Sequence, residues 1–521
     1  MNNKTVLIIG SHLILENIVE QYDDNNYSLY CYSDWTDFDT KPLNIENLDE
    51  IFIATKGNSE CKESEDLKNL KCIADTCSRF KSDKKIKIHL LLHSSDTLMI
   101  FQRKELCMNL KEIAEIHPFT IESLWAQNIF VTLPTNKTFY PPLDREYLGI
   151  ESDKYVHVVI YNMNSMAETL SEYIALTSHY ANYTKNHSLR TRITIVDNDV
   201  INKKKRFLNK NQALFENSYF RVVNLDNTDS NAVVELHKPK YYKNREDFVD
   251  IEWEFVKADI NNKILRDKLS LWAKSDEQIL TLFLCSETEG NNIKDVMILP
   301  KEVEDNRIPV FVRCATANIT DIFNMENNVF GFGMLKCFYD IKLPLIKLAK
   351  MVNYVYDSCY KDNYVNESRF DNIYSPISID IGEAEVLWNK LSSAKKWSNI
   401  YNAMTISSKM RALGYSSEDW ISYNGMSCKE ISLIAEMEHN RWNVEELILG
   451  FYPVNEGQEK EIEIDIRKKK YYKEKFFHYD IRAYNDLRPD ESGKNVSTYD
   501  ICLSNSITLL ANTFLTNMND E

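Results

Sequence analysis

Short apolar runs alternate with longer amphipathic segments along this chain, and that alternation constrains the fold more than any other feature. TVLIIG (5–10), SLYCYS (28–33), IFIAT (51–55), IKIHLLLH (86–93) and NIFVTL (128–133) each read as a strand that is apolar throughout. Amphipathic segments such as 64–80 and 104–116 lie between them. Strands buried on both faces and separated by helices predict a parallel sheet with helices on both sides.

The pattern then restarts. VHVVIYN (156–162) predicts a strand, 165–183 a helix, and RITIVDND (192–199) the next strand. IEWEFVKADI (251–260), ILTLFLCS (279–286) and IPVFVRC (308–314) continue the series. From about residue 340 the strand signal stops, and 341–360, 382–414 and 427–450 read as helices, the first two separated by YSPISID (374–380). The expected fold class is α/β, with two successive Rossmann-like doubly wound parallel-sheet units followed by a mostly α-helical C-terminal part. The expected boundaries are 1–150, 151–340, a helical connector over 341–424, and a last domain over 425–521.

Composition narrows the function classes. The 521 residues carry 62 basic and 78 acidic side chains, a formal net charge of −16. Such a balance disfavours a nucleic-acid partner, whose binding depends on neutralising phosphates. The basic runs Lys203-Lys204-Lys205-Arg206 and Arg467-Lys468-Lys469-Lys470 read as solvated faces. No apolar run is long enough to span a bilayer, so no membrane insertion is expected. The stretch MNNKTVLIIGSHL lacks a basic segment followed by a long apolar one, so no signal peptide is expected. Eleven cysteines without a C-x-x-C pair fit reduced thiols and a cytoplasmic setting.

Two turns are candidate nucleotide sites. Gly10 ends the first apolar run, where a dinucleotide fold opens its phosphate turn, but the rest of a G-x-G-x-x-G fingerprint is missing. A plain strand-to-helix turn is the better reading of Gly10. The second unit turns through Asn162, Met163, Asn164 and Ser165, and its second strand ends in Asp197 and Asp199, where a ribose-binding acid would sit. These aspartates fit a turn or a helix cap as well.

Residues 156–314 resemble a TrkA-N (RCK-type) regulatory Rossmann domain. HVVIYN, ITIVDND, KADI (257–260), LFLCSETEGNN (282–292) and IPVFVRC follow one another in that family's order. The resemblance implies nucleotide binding and sensing rather than catalysis. The turn residues are bulkier than the family's glycines and would crowd a pyrophosphate, so the cofactor is left unknown.

The helix predicted over 427–450 raises a different question. Ile431, Ile434, Glu438, Arg441, Trp442, Glu445, Ile448 and Leu449 share one face, so charges interrupt an apolar stripe. Glu438 to Arg441 is i, i+3, and Arg441 to Glu445 is i, i+4, spacings that allow pairing along the helix. Two readings fit: an ion network tying the helix to its neighbours, or a ligand pocket floored by Trp442. LIAEMEHNRWNVEELILGF, followed by FFHYDIRAYNDL (476–487) and Tyr499-Asp500, resembles the ryanodine-receptor (RyR) homology domain over about 425–510. That family implies binding or signal sensing. The ligand-binding candidates are Glu438, His439, Arg441, Trp442, His478 and Tyr484. The stretch between the two motifs, 454–475, reads as a Glu- and Lys-rich loop.

No H-E-x-x-H, P-loop, G-x-S-x-G or calcium-loop motif is present, and His12, His89, His93 and His157 read as isolated structural histidines. The two resemblances together imply a cytoplasmic sensor of a nucleotide-derived small molecule, working as a homodimer. By analogy of architecture it would serve bacterial nucleotide signalling or phage defence. The rivals are an NAD(P)-dependent or nucleotide-cleaving enzyme using Asp197, Asp199 or Asp259, and a soluble gating subunit of a membrane transporter or channel.

Overall fold

The computed structural model describes residues 4–519 except 23–26, 41–47, 58–61, 80–84, 104–109, 111, 134–139, 146, 226–232, 240–246, 316–327, 336–338, 362–377, 416–425 and 489–495. The first sheet holds β1 (Lys4–Gly10), β2 (Tyr27–Tyr32), β3 (Glu50–Ala54), β4 (Ile86–Leu91) and β5 (Ala114–Phe119). All pairs are parallel, in the order β2-β1-β3-β4-β5. Every residue of β3 is buried, as a central strand covered on both faces requires.

The second sheet holds β6 (Tyr155–Tyr161), β7 (Thr191–Asp197), β8 (Tyr219–Asn224), β9 (Val233–His237), β10 (Ile251–Lys257), β11 (Gln278–Leu284), β12 (Val310–Arg313) and β13 (Val329–Phe332). Its order is β13-β12-β11-β6-β7-β10-β8-β9, parallel except for the β8–β9 pair. With the β8–β9 hairpin set aside, the remaining six follow the doubly wound order of a Rossmann fold. The direction of winding reverses between β6 and β11, and a crevice opens there beyond the strands' carboxyl ends.

The C-terminal part is helical, as the sequence predicts. Pro344–Lys361, Ile381–Lys390, Ser393–Met404, Ile406–Ala412, Cys428–Ile448, Ser497–Asn505 and Ile507–Asn519 are its main helices. They do not stand apart from the sheets. One apolar core runs from Ile8 and Phe52 through Trp125, Ile160 and Phe283 to Val352, Trp388, Ile434 and Phe514. No helix among the described residues is long and apolar enough to cross a membrane.

Several local expectations are corrected. The strand expected at 128–133 is the end of helix Ile121–Phe130, whose start is fixed by a capping box between Thr120 and Ser123. A short apolar run does not distinguish strand from helix by itself. The fifth strand is instead AEIHPF, Ala114–Phe119, which overlaps the end of the span read as a helix over 104–116. Its Pro118 is tolerated because β5 is an edge strand. The single helix expected over 382–414 breaks at Leu391–Ser392 and at Thr405. The loop expected over 454–475 contains helices Glu456–Ile464 and Lys468–Lys473, the first capped by Asn455 and Gln458. The isolated histidines have local partners: His93 meets Asp66 at 3.0 Å, and His157 bridges Gln278 and Thr194.

Candidate functional site

The crevice beyond β6 and β11 is a cavity of about 600 Å³ lined by Tyr161, Asn162, Asp197, Asp259, Ser286 and Asp295 among others. Three of the sequence candidates, Asn162, Asp197 and Asp259, are on its wall. Asn162 has φ 68°, in the left-handed region where a dinucleotide fold places glycine and which asparagine tolerates.

The groups that would hold a pyrophosphate are already engaged. Asn164 caps helix Ser165–Thr177, accepting from the N–H groups of Met166 (3.1 Å) and Ala167 (3.2 Å). Its own amide donates to the Cys285 carbonyl. The helix N-terminus that receives phosphate in dinucleotide folds is thus filled by the chain itself. Asp197 is 4% exposed. Its carboxylate accepts from the N–H groups of Met163 (2.9 Å) and Asp199 (2.7 Å) and from Lys203 Nζ (2.7 Å). It locks the turn. Ser165 bonds Glu122, and Asp199 bonds Asn202, so both side chains are directed to local partners.

What remains toward the cavity is largely polar, with Asp259 and Asp295 set against Lys294. Asp295 is raised to about 6 by burial and by the nearby Asp259. Tyr161, at the end of β6, is 2% exposed, and its hydroxyl is buried with no partner among the described residues. Burial, with Asp295 adding to it, pushes that hydroxyl well above the usual phenol range. A buried hydroxyl without a partner costs roughly 1–3 kcal/mol. An aromatic residue in a strand reads as core, so Tyr161 carried no signal in the sequence.

Gly10 lies in the other sheet. Its φ is 132°, and a Cβ there would lie 2.0 Å from the Ala54 carbonyl oxygen. Close approach of β3 accounts for this glycine without a ligand.

The C-terminal candidates divide into two groups. Helix Cys428–Ile448 starts with a capping box between Ser427 and Glu430. On one face Glu438, Arg441 and Glu445 are 3%, 1% and 1% exposed. The Arg441 guanidinium reaches Glu438 at 2.8–3.0 Å and Glu445 at 2.6 Å. Lys409, from helix Ile406–Ala412, reaches Glu438 at 2.6 Å, and Ser398 reaches Glu445 at 3.2 Å. The set balances two cations against two anions. Burial alone would raise Glu438, but Arg441 and Lys409 hold it well below the carboxylate range.

On another face the rings gather. His439 stacks near Trp442 at 5.6 Å and lies 5.8 Å from Tyr484, and Trp442 meets His478 edge-on at 5.0 Å. His439 and Asn443 both donate to the Arg482 carbonyl, at 3.0 and 2.8 Å, pinning the 478–487 segment to the helix. His439, Trp442, His478 and Tyr484 therefore come together, while Glu438 turns to Lys409 and Arg441 to Glu438 and Glu445.

Glu446 was not singled out in the sequence. It is 8% exposed, and its Oε2 has no partner among the described residues. Burial raises it to about 8, against a weaker opposing effect of Lys473. A carboxyl raised in the folded state stabilises fully at low pH, and that contribution is lost as pH rises from about 4.5 through about 8. Glu446→Gln is expected to leave stability at pH 5 nearly unchanged and to raise it by a few (~3) kcal/mol at pH 8.5. Urea unfolding at the two pH values checks this, and equal effects at both would contradict it.

Neither basic run offers an open phosphate patch. Lys203 and Arg206 pair with Asp197 and Asp96, while Arg467, Lys468 and Lys469 pair with Asp465, Glu461 and Asp480. Among the described residues no group of histidines, cysteines and acids could hold a metal ion. No model of a known protein family matches the chain, and no curated protein matches it.

Proposed function

We propose that this is a ligand-sensing regulatory protein whose ligand is a nucleotide-derived small molecule bound in the crevice beyond β6 and β11. The ligand enters through its base or sugar, not through a phosphate. The observation that carries this reading is Tyr161, a lining residue of a polar cavity at the point where the sheet reverses its winding, whose buried hydroxyl has no partner among the described residues. The self-capped helix N-terminus disfavours pyrophosphate there, and Asp259 and Asp295 outnumber Lys294 on the wall. They favour a ligand rich in hydrogen-bond donors, such as a nucleoside.

Calorimetric titration with the four ribonucleosides, their diphosphates and NAD tests it. At least one nucleoside is expected to bind more tightly than its diphosphate and than NAD. Tyr161→Phe is expected to weaken that binding by about three- to tenfold, the worth of one hydrogen bond. The same change removes an unsatisfied group, so its melting temperature is expected to equal or exceed that of the unaltered protein. Equal nucleoside affinity in the variant, or tightest binding of NAD, would sink the reading.

A further inference from the structure

A second cavity, of about 570 Å³, lies between the edge strand β5, helix Ile121–Phe130 and the helices Ile381–Lys390 and Ser393–Met404. It shares no lining residue with the crevice beyond β6 and β11. Its walls are largely apolar, with Leu124, Ile129, Ile346, Trp388, Trp397 and Ile400 among them. Small-molecule cavities have this size and character, and they favour boundaries between structural units such as this one.

The polar groups on its walls have a bias. Glu115 and Asp340 are the acids among them, and both are already engaged: Asp340 accepts from the Lys342 N–H at 2.8 Å, while Glu115 accepts from Trp388 Nε1 at 2.8 Å and lies 3.5 Å from Lys350 Nζ. Burial would raise Glu115, yet the cationic side chains of Lys350 and Lys396 help to hold it low. Burial lowers His117 to about 3, so its ring is neutral. Asn128 Nδ2 is a buried donor with no partner among the described residues. Lys396 also lines the cavity, its ammonium 5.3 Å from the centre of the Trp388 ring. With both carboxylates engaged, the orphaned Asn128 amide donor and the ammonium groups of Lys85 and Lys396 together favour an acceptor that carries negative charge.

We propose that this cavity binds a small molecule with a planar apolar body and one anionic end. The indoles of Trp388 and Trp397 contribute to the wall for the body, and Asn128 and Lys396 supply the donors for the anionic end. The proposal stands independently of the nucleoside reading.

Two dyes of nearly equal shape separate the features. 1-Anilinonaphthalene-8-sulfonate has the anionic end, and N-phenyl-1-naphthylamine lacks it. With the full chain, each is expected to bind at one saturable site with energy transfer from tryptophan. Ile346→Trp, which fills the cavity, is expected to abolish both. Lys396→Met and Asn128→Leu are each expected to weaken the sulfonate about tenfold while leaving the naphthylamine within about twofold. Tyr161→Phe is expected to change neither, which keeps a failure here distinct from a failure at the crevice. Leu345→Trp replaces Ile346→Trp if the latter does not fold, and the two polar variants test the anionic end in either case. The proposal is overturned by non-saturable dye binding, by a filled cavity that still binds, or by sulfonate affinity unchanged in both Lys396→Met and Asn128→Leu.

Discussion

Arg441→Leu is expected to destabilise the folded chain by about 3–5 kcal/mol, the cost of breaking a buried ion set by removing one member. The guanidinium is 1% exposed and spans two carboxylates on its own helix. Without it, Glu438 retains Lys409, but Glu445 keeps only the Ser398 hydroxyl, and its Oε1 already has no partner among the described residues. An uncompensated charge is then buried among helices that join the C-terminal part to the rest. Arg441→Lys is also expected to melt early, because an ammonium lacks the planar fork that reaches both acids. Thermal unfolding checks both variants. A ligand pocket at these residues predicts the opposite: near-normal melting of Arg441→Lys with ligand response lost. Normal melting would therefore move Arg441 from the ion network to a binding role.

The pairing along that helix was legible because i, i+3 and i, i+4 spacings are local. Lys409 and Ser398 were not, since nothing in their own segments signals a partner about thirty or more residues away. The same division runs through the fold. β1, β3, β6 and β11 could be read directly because a strand buried on both faces is largely apolar, and β7 and β10 despite Arg192, Glu252 and Glu254. β5 could not, because an edge strand tolerates Glu115, His117 and Pro118 and so loses its apolar signature. β8 and β9 form a hairpin at the other edge, and their mixed composition hid them in the same way. At the crevice, Asp197 could be singled out from its place at the end of a strand. Its three donors could not be foreseen, because they depend on how the Met163 turn and the Lys203 helix fold back onto it. Asn164 shows the same limit: a capping residue is easily recognised, but the sequence does not say that the cap fills the place where a phosphate would go.

Gly10→Ala separates a structural glycine from a phosphate-turn glycine. The backbone at Gly10 has φ 132°, a conformation close to forbidden for a residue with a Cβ. The added atom would lie 2.0 Å from the Ala54 carbonyl oxygen, 2.3 Å from its carbon and 2.8 Å from the Thr55 nitrogen. All three are backbone atoms of the neighbouring strand and its continuation, and β1 and β3 are held in register through the Gly10–Ala54 pair. They cannot swing away as a flexible side chain would. The Ala54 carbonyl also accepts from the His12 N–H at 3.1 Å, so displacing it loosens the turn after β1 as well. Backbone strain of about 1–3 kcal/mol and overpacking of about 1–3 kcal/mol add to an expected loss of about 4 kcal/mol. In urea the unfolding midpoint is expected to fall with the slope unchanged, since the folded state loses stability without losing its buried surface. A glycine reserved for a pyrophosphate would behave differently: alanine there would leave the midpoint nearly in place and remove only nucleotide binding. A Gly10→Ala protein that unfolds at the same urea concentration as the unaltered chain would return this turn to the list of ligand sites.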